Sequence, residues 1–267
     1  MTAMRIAIIG GSGVYEQSFL EDDKKIKVET RFGPVAIKQG TYRDRTVFFM
    51  ARHGGGHTVP PHLINYRANI AALKKLKVDA VIATAAVGSL RRELTPESRV
   101  IIDQFIDFTK QRPLTFYEGE EGFVVHTDFS EPYCPEIRSV ILRAGRDLGQ
   151  TMIDGGCYIC TEGPRFETPA EIKMFKSWGV DVVGMTNIPE ATLAREAGLC
   201  YATIALPTNY AAGVSSEPLT QDEVLAAMDK DKPELERLIA ASIARLKTGT
   251  SCRCREAGNK YPKEQTS

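Results

Sequence analysis

Apolar runs of strand length alternate along this chain with stretches of helical periodicity. Residues 5–9, 46–51, 80–84, 156–161, 180–184 and 201–206 are short runs rich in Val, Ile, Ala or aromatics, the pattern of buried strands. Residues 135–148 place Ile137, Val140, Ile141, Ala144 and Leu148 on one helical face, with Gly149 at the stop. Residues 64–76 repeat that pattern with Ile64, Ala68, Ala71 and Leu76. Capping chemistry marks three more helix starts: the boxes Thr168-Pro169-Ala170-Glu171 and Thr220-Gln221-Asp222-Glu223, and the pair Pro189-Glu190. This alternation predicts an α/β fold, a sheet flanked by helices. Neither an internal repeat nor a compositional shift divides residues 1–248, so one domain is expected there. Residues 249–267 are polar and aperiodic and read as a mobile tail.

Charge narrows the function. Lys and Arg number 34 and Asp and Glu 34, giving a formal net charge of zero. Such a chain has no overall field to draw a polyanion, which argues against a nucleic-acid partner. Its longest apolar run, residues 80–87, is far short of the roughly 20 residues a membrane span needs, and the first run is too short for a signal peptide. A cytoplasmic location without a membrane partner is the default expectation. Six cysteines in 267 residues are too few for a disulfide scaffold. Cys157-x-x-Cys160 and Cys252-x-Cys254 together offer four thiolates, but each spacing is common, and the first pair reads as part of a buried strand. No metal site is expected.

Candidate chemistry clusters after the strands. Gly10-Gly11-Ser12-Gly13 exposes backbone N–H groups and a hydroxyl suited to an anion, yet its spacing fits neither the dinucleotide fingerprint nor the P-loop. Arg52-His53-Gly54-Gly55-Gly56-His57 adds cationic donors and a backbone that can approach a ligand closely. Small residues follow at Thr84-Ala85-Ala86-Val87-Gly88-Ser89. In Glu162-Gly163-Pro164-Arg165-Phe166-Glu167 an aromatic face can stack on a flat ring while a carboxylate accepts its N–H. Gly184-Met185-Thr186-Asn187 and Pro207-Thr208-Asn209-Tyr210 complete the set at strand ends, where ligands lie in open α/β sheets. Together these groups describe a site for phosphate plus a planar heterocycle.

The order and spacing of Gly10-Gly11-Ser12-Gly13, Arg52-His53-Gly54, Asn65-Tyr66-Arg67-Ala68-Asn69, Glu162-Gly163-Pro164-Arg165-Phe166, Gly184-Met185-Thr186 and Pro189-Glu190-Ala191 resemble the methylthioadenosine phosphorylase and purine nucleoside phosphorylase family. The resemblance spans residues 5–246 and implies a single-domain mixed twisted sheet of nucleoside phosphorylase type. It also implies phosphate-dependent cleavage of a purine nucleoside to free purine and a ribose 1-phosphate, with inorganic phosphate as co-substrate and no metal or organic cofactor. By position, Ser12, Arg52, His53, the Ala85–Ala86 backbone and Thr186 would hold phosphate. Met185 would lie under the ribose, Phe166 beside the base, and Glu167 and Asn209 at its edge, so that Asn209, Glu167 and His53 carry the chemistry. Gln221, Val224 and Leu225 would face the sugar's 5′ end. Homotrimers or homohexamers are implied as well.

The same resemblance carries a specificity argument. Relatives that take 6-aminopurines usually have Asp where this chain has Asn209, Asp where it has Ala211, and Ser where it has Glu167. The Glu and Asn pair here is similar to that of 6-oxopurine enzymes. A carboxylate facing N1 of adenine sets acceptor against acceptor, a mismatch costing about 1–3 kcal/mol. A 6-oxopurine base is therefore expected, on either a 5′-methylthio or an ordinary nucleoside. The alternatives are adenine-specific methylthioadenosine phosphorolysis, a nucleosidase that uses water and needs no anion cage, and a binding protein without turnover. Cys134 and Cys200 stand where some thermophilic relatives form a bridge, and Cys252-x-Cys254 resembles the tail motif of those relatives.

Overall fold

A computed structural model describes every residue except 1, 2, 15, 16, 57, 120–123, 217, 218, 248, 250 and 259–267. In chain order the strands are β1 (Arg5–Gly10), β2 (Glu21–Thr30), β3 (Gly33–Tyr42), β4 (Arg45–Ala51), β5 (Ala80–Ser89), β6 (Arg99–Ile101), β7 (Gln104–Phe108), β8 (Met152–Asp154), β9 (Cys157–Thr161), β10 (Val182–Gly184) and β11 (Cys200–Tyr210). The helices are α1 (Tyr66–Lys75), α2 (Pro135–Asp147), α3 (Pro169–Ser177), α4 (Asn187–Glu196), α5 (Gln221–Arg245) and α6 (Cys254–Gly258). The strands form one mixed sheet in the order β2-β3-β4-β1-β5-β10-β9-β7, with β11 on β5 and β6, and β8 on β6. All five helices anticipated from periodicity and capping are present, as is the α/β layering.

Alternation along β1 explains the layers. Ile6 and Ile8 join a core with α2 and α5, while Ala7 and Ile9 join the opposite core with α1 and α4. A strand buried on both faces reads as a continuous apolar run, which is why β1 was visible in the sequence. A third, smaller core packs α3 against β9 and β10 through Phe175, Ile172 and Ile159. The Thr168 capping box is complete, with Oγ1 accepting from the Glu171 N–H and the Glu171 carboxylate accepting from the Thr168 N–H.

The pairing of β5 shapes everything that follows. β11 runs parallel to it along its whole length, from Ala80 to Ser89. A strand has only two edges, so β1 and β10 share the other. β1 pairs in parallel with Ala80–Ala83, and β10 pairs antiparallel with Gly88 and Ser89. Between them the edge from Thr84 to Val87 has no strand neighbour among the described residues. β1 ends at the near side of this gap and β10 at the far side, so both chain ends face the bare stretch of β5.

The C-terminal segment departs from expectation. Residues 251–258 are docked: Cys254 is buried, Ser251 donates from N and Oγ to Glu136 at 2.6 and 2.7 Å, and Arg255 pairs with Asp79 at 2.9 Å. Local ion pairs and one buried thiol hold a stretch too polar to show helical periodicity. Residues 259–267 of the expected tail, and His57 of the glycine-rich loop, lie outside the described residues.

Candidate active site

A cavity of about 340 Å³ opens where β1 and β10 part along β5. One end is lined by Gly11, Ser12, His53, Ala85, Ala86 and Thr186. Phe166, Glu167, Asn209 and Ala211 line it as well, with Met185 in the wall and Gln221 and Val224 from the start of α5. Twelve of the fourteen residues marked in the sequence thus converge on one cavity, although they span positions 12 to 224. Leu225, also considered, is not in the lining.

The small-residue end presents backbone N–H groups and hydroxyls that an anion can use. Gly11 donates its N–H to Thr84 Oγ1 at 3.0 Å, clamping the turn after β1 against β5. A Cβ on Gly11 would sit 2.7 Å from the Thr84 carbonyl, so only glycine allows this approach. Thr186 is the N-cap residue of α4, whose first N–H groups and dipole favour negative charge nearby. His53 donates from Nδ1 to the Val59 carbonyl at 2.9 Å, which sets the orientation of the ring at the cavity wall.

Arg52 is the exception among the expected phosphate ligands. It is fully buried behind the cavity wall, where its guanidinium meets Glu190 of α4 through two parallel bonds of 2.6 and 2.7 Å and donates to the Thr84 carbonyl at 2.8 Å. It is absent from the cavity lining. Burial alone would lower its pKa, but the Glu190 carboxylate outweighs burial and holds it above the ordinary value. Its hydrogen bonds go to Glu190 and to the Thr84 carbonyl, so Arg52 fixes the geometry around Thr84 at the back of the small-residue end. Tyr201 adds a hydrogen bond from Oη to Glu190 at 2.8 Å.

At the base-sized end, Glu167 lies half-buried and accepts from Thr161 Oγ1 at 2.6 Å. Burial raises its pKa, with the Thr161 bond opposing. Asn209 is aimed by an irregularity in β11: the register with β5 shifts between Pro207 and Asn209, which turns a residue out of the strand's alternation. Its Oδ1 accepts from Thr208 Oγ1 at 2.9 Å, which identifies Nδ2 as the donor end, and Nδ2 makes one bond to the Tyr210 carbonyl at 3.0 Å. An amide nitrogen carries two N–H groups, so the second is available for a ligand. Met185 fits against Gly163, where an added Cβ would stand 2.6 Å from its sulfur.

One residue that organises this site escaped the sequence reading. Arg112, in the segment after β7, is buried and donates NH1 to the carbonyls of Met185 and Ile188, both at 2.7 Å, and NH2 to those of Glu162 at 2.6 Å and Thr161 at 3.2 Å. A single guanidinium therefore ties the loop carrying Phe166 and Glu167 to the loop carrying Met185 and Thr186. No local motif announces it, because its partners are backbone carbonyls about 50 to 76 residues downstream. Thr58, Pro60, Pro61 and Leu219, which also line the cavity, were equally silent.

The Phosphorylase superfamily model matches residues 5–244. The chain belongs to this superfamily. Among phosphorylase relatives, it is 53% identical over 258 residues to a probable 6-oxopurine nucleoside phosphorylase of Dictyoglomus turgidum, covering 97% of this chain and 98% of that one. It is 48% identical over 254 residues to a probable S-methyl-5′-thioinosine phosphorylase of Methanothermobacter thermautotrophicus, covering 94% of this chain and 88% of the other. Its fold matches a crystal structure of a methylthioadenosine phosphorylase from an antarctic soil metagenomic library with a TM-score of 0.90 and 36% identity, over 100% of this chain and 96% of that chain. The phosphorylase fold and the resemblance read from the motifs are thereby established.

The bridges left open by the resemblance are not formed. Cys134 and Cys254 are free thiols, so neither a Cys134–Cys200 nor a Cys252–Cys254 bridge is formed. Instead the sulfurs of Cys134, Cys200, Cys252 and Cys254 all lie within 4.8 Å of one another. Cys160, in contrast, sits in the core between β9 and α4, with its thiol 3.4 Å from the Ile188 carbonyl.

Proposed function

We propose that this phosphorylase cleaves the N-glycosidic bond of 6-oxopurine nucleosides with inorganic phosphate, releasing hypoxanthine or guanine and a ribose 1-phosphate. The observation that carries this reading is the pairing of Glu167 with Asn209 in one cavity whose other end offers backbone and hydroxyl donors to an anion.

Bond cleavage leaves positive charge on the sugar and negative charge on the purine. Catalysis must stabilise both more strongly in the transition state than in the bound substrate. Phosphate at Ser12, the Ala85–Ala86 backbone and Thr186 serves as nucleophile and counter-charge for the sugar. Asn209 donates its second amide N–H to the purine as charge builds there, and Glu167 accepts N1–H of the 6-oxo form. Stacking on Phe166 and contact with Met185 hold base and ribose in line for attack. Ala211 leaves the base edge without the carboxylate that would accept an exocyclic amine, which also favours oxygen at that position. Where Gln221 meets Val224, Leu219 and the two prolines, both a 5′-hydroxyl and a 5′-methylthio group find suitable surroundings.

The test is release of base from inosine, guanosine, adenosine and their 5′-methylthio analogues, with and without phosphate. Phosphate-dependent release favouring the 6-oxopurines supports the proposal. Equal or faster turnover of the adenine nucleosides, or release independent of phosphate, overturns it.

A further inference from the structure

Far from the cavity, three segments bring four sulfurs together. Cys134 is the N-cap residue of α2, Cys200 opens β11, and Cys252 and Cys254 come from the docked C-terminal segment. A backbone bond from Cys134 N to the Tyr201 carbonyl, 2.8 Å, sets the first two side by side. The Ser251–Glu136 and Arg255–Asp79 contacts press the last two onto them. Cys134, Cys200 and Cys254 are at most 2% exposed, and Cys252 is partly exposed.

We infer that these four thiols form a structural site for zinc(II). A tetrahedral zinc with sulfur ligands at about 2.3 Å holds those sulfurs about 3.8 Å apart. The separation here is 3.4 Å between Cys200 and Cys252 and no more than 4.8 Å for any pair, so the sulfurs surround one point. Four soft donors without an oxygen or nitrogen ligand select a soft or borderline cation over magnesium or calcium. Four protein ligands also close the coordination shell, which marks a structural rather than a hydrolytic site. As zinc(II) enters, the four S–H groups release their protons to solvent, leaving a site of formal charge −2 at the N-terminal end of α2, where the helix dipole offsets part of that charge. A cavity of about 490 Å³ bounded by Cys200, Pro135, Glu136 and Ser251 gives the ion a route inward. Zinc would fasten the C-terminal segment to the start of β11 and to α2, at a place where the surrounding contacts are otherwise exposed ion pairs and hydrogen bonds.

Metal content and thiol count of the full-length protein, purified without chelator or reductant, decide the matter. The expected result is one zinc per chain by elemental analysis. All six cysteines should then react with a thiol reagent after unfolding in chelator alone. Cobalt(II) added to the chelated protein should give the visible bands of a tetrahedral tetrathiolate. Cys254→Ser should lose the zinc equivalent, and should keep phosphorolysis at moderate temperature because Cys254 touches no residue of the cavity. Two outcomes overturn the inference. One is that only Cys157 and Cys160 react, the other four being joined as disulfides. The other is six reactive thiols in a protein that takes up neither zinc nor cobalt. Both are read on the unaltered protein, so a variant that fails to fold does not blunt the test.

Discussion

Replacing Arg112 by lysine keeps the charge but shortens the reach of its donors, and the structure sets the size of the effect. The guanidinium satisfies four carbonyls, two through each terminal nitrogen. An ammonium group in the same channel can meet the Met185 and Ile188 carbonyls, which lie together, but not the Thr161 and Glu162 pair on the other branch. A buried carbonyl left without a donor costs about 1–3 kcal/mol. Water can reach Glu162, which is partly exposed, so the loss sums to about 2–4 kcal/mol. For a chain of this size that corresponds to a fall in Tm of about 4–16 °C. The catalytic consequence is separate. With the Thr161–Glu162 side released, Phe166 and Glu167 lose their fixed relation to Met185, so KM for inosine should rise at least fivefold at a temperature where the variant remains fully folded. Guanidinium ions added to Arg112→Gly should restore part of the activity, which a purely structural loss would not allow. Thermal denaturation followed by circular dichroism, with steady-state phosphorolysis, measures both. The reasoning fails if Arg112→Lys melts within 2 °C of the unaltered protein and binds inosine equally well.

Glu167 makes selectivity depend on pH. Burial raises its pKa, so as pH falls the carboxylate is lost earlier than for an exposed glutamate. The neutral acid accepts N1–H more weakly than the carboxylate does and gains an O–H that can donate to N1 of adenine. The ratio of kcat/KM for inosine over adenosine should therefore fall with pH, and the Glu167→Gln variant should show a flat ratio. Glu190→Ala should destabilise the fold by about 3–5 kcal/mol, because it strands a buried guanidinium, whereas Glu190→Gln should cost less; urea denaturation compares them. At Gly163, with φ of +65° and Met185 sulfur in the way of any Cβ, alanine should raise KM for the nucleoside and leave that for phosphate nearly unchanged.

The legible parts of this protein are those whose information is local. β1, β4 and β11 are apolar on both faces, and Thr168 and Thr220 sit at helix starts, so short windows reveal them. β2 and β3 escaped because their outer halves are charged and exposed, in runs such as Glu21-Asp22-Asp23-Lys24-Lys25, which carry no period-two pattern. The far half of β5 escaped because Ala85, Ala86 and Gly88 are small, the very property that lets a ligand approach. Site residues were recognisable where they occur in compact motifs after strands. What could not be read was pairing at long range: Arg52 with Glu190 is separated by 138 positions and Arg112 with its carbonyls by up to 76. A charge in a sequence shows a capability, and only the folded partner shows whether it is spent internally or offered to a ligand.

β11 joins two places with different duties. Cys200 begins it beside the thiol cluster, and Asn209 lies near its other end at the cavity, about 30 Å away at 3.3 Å per residue. From Cys200 to Pro207 the strand is paired in register with β5, so changes at the cysteine end are separated from the amide by a clamped stretch. Lineages could therefore retune heat tolerance by editing the sulfur cluster and diet by editing residues around Asn209, with little crosstalk between the two. A rigid strand of this kind acts as an insulator, separating the durability of the catalyst from its choice of substrate.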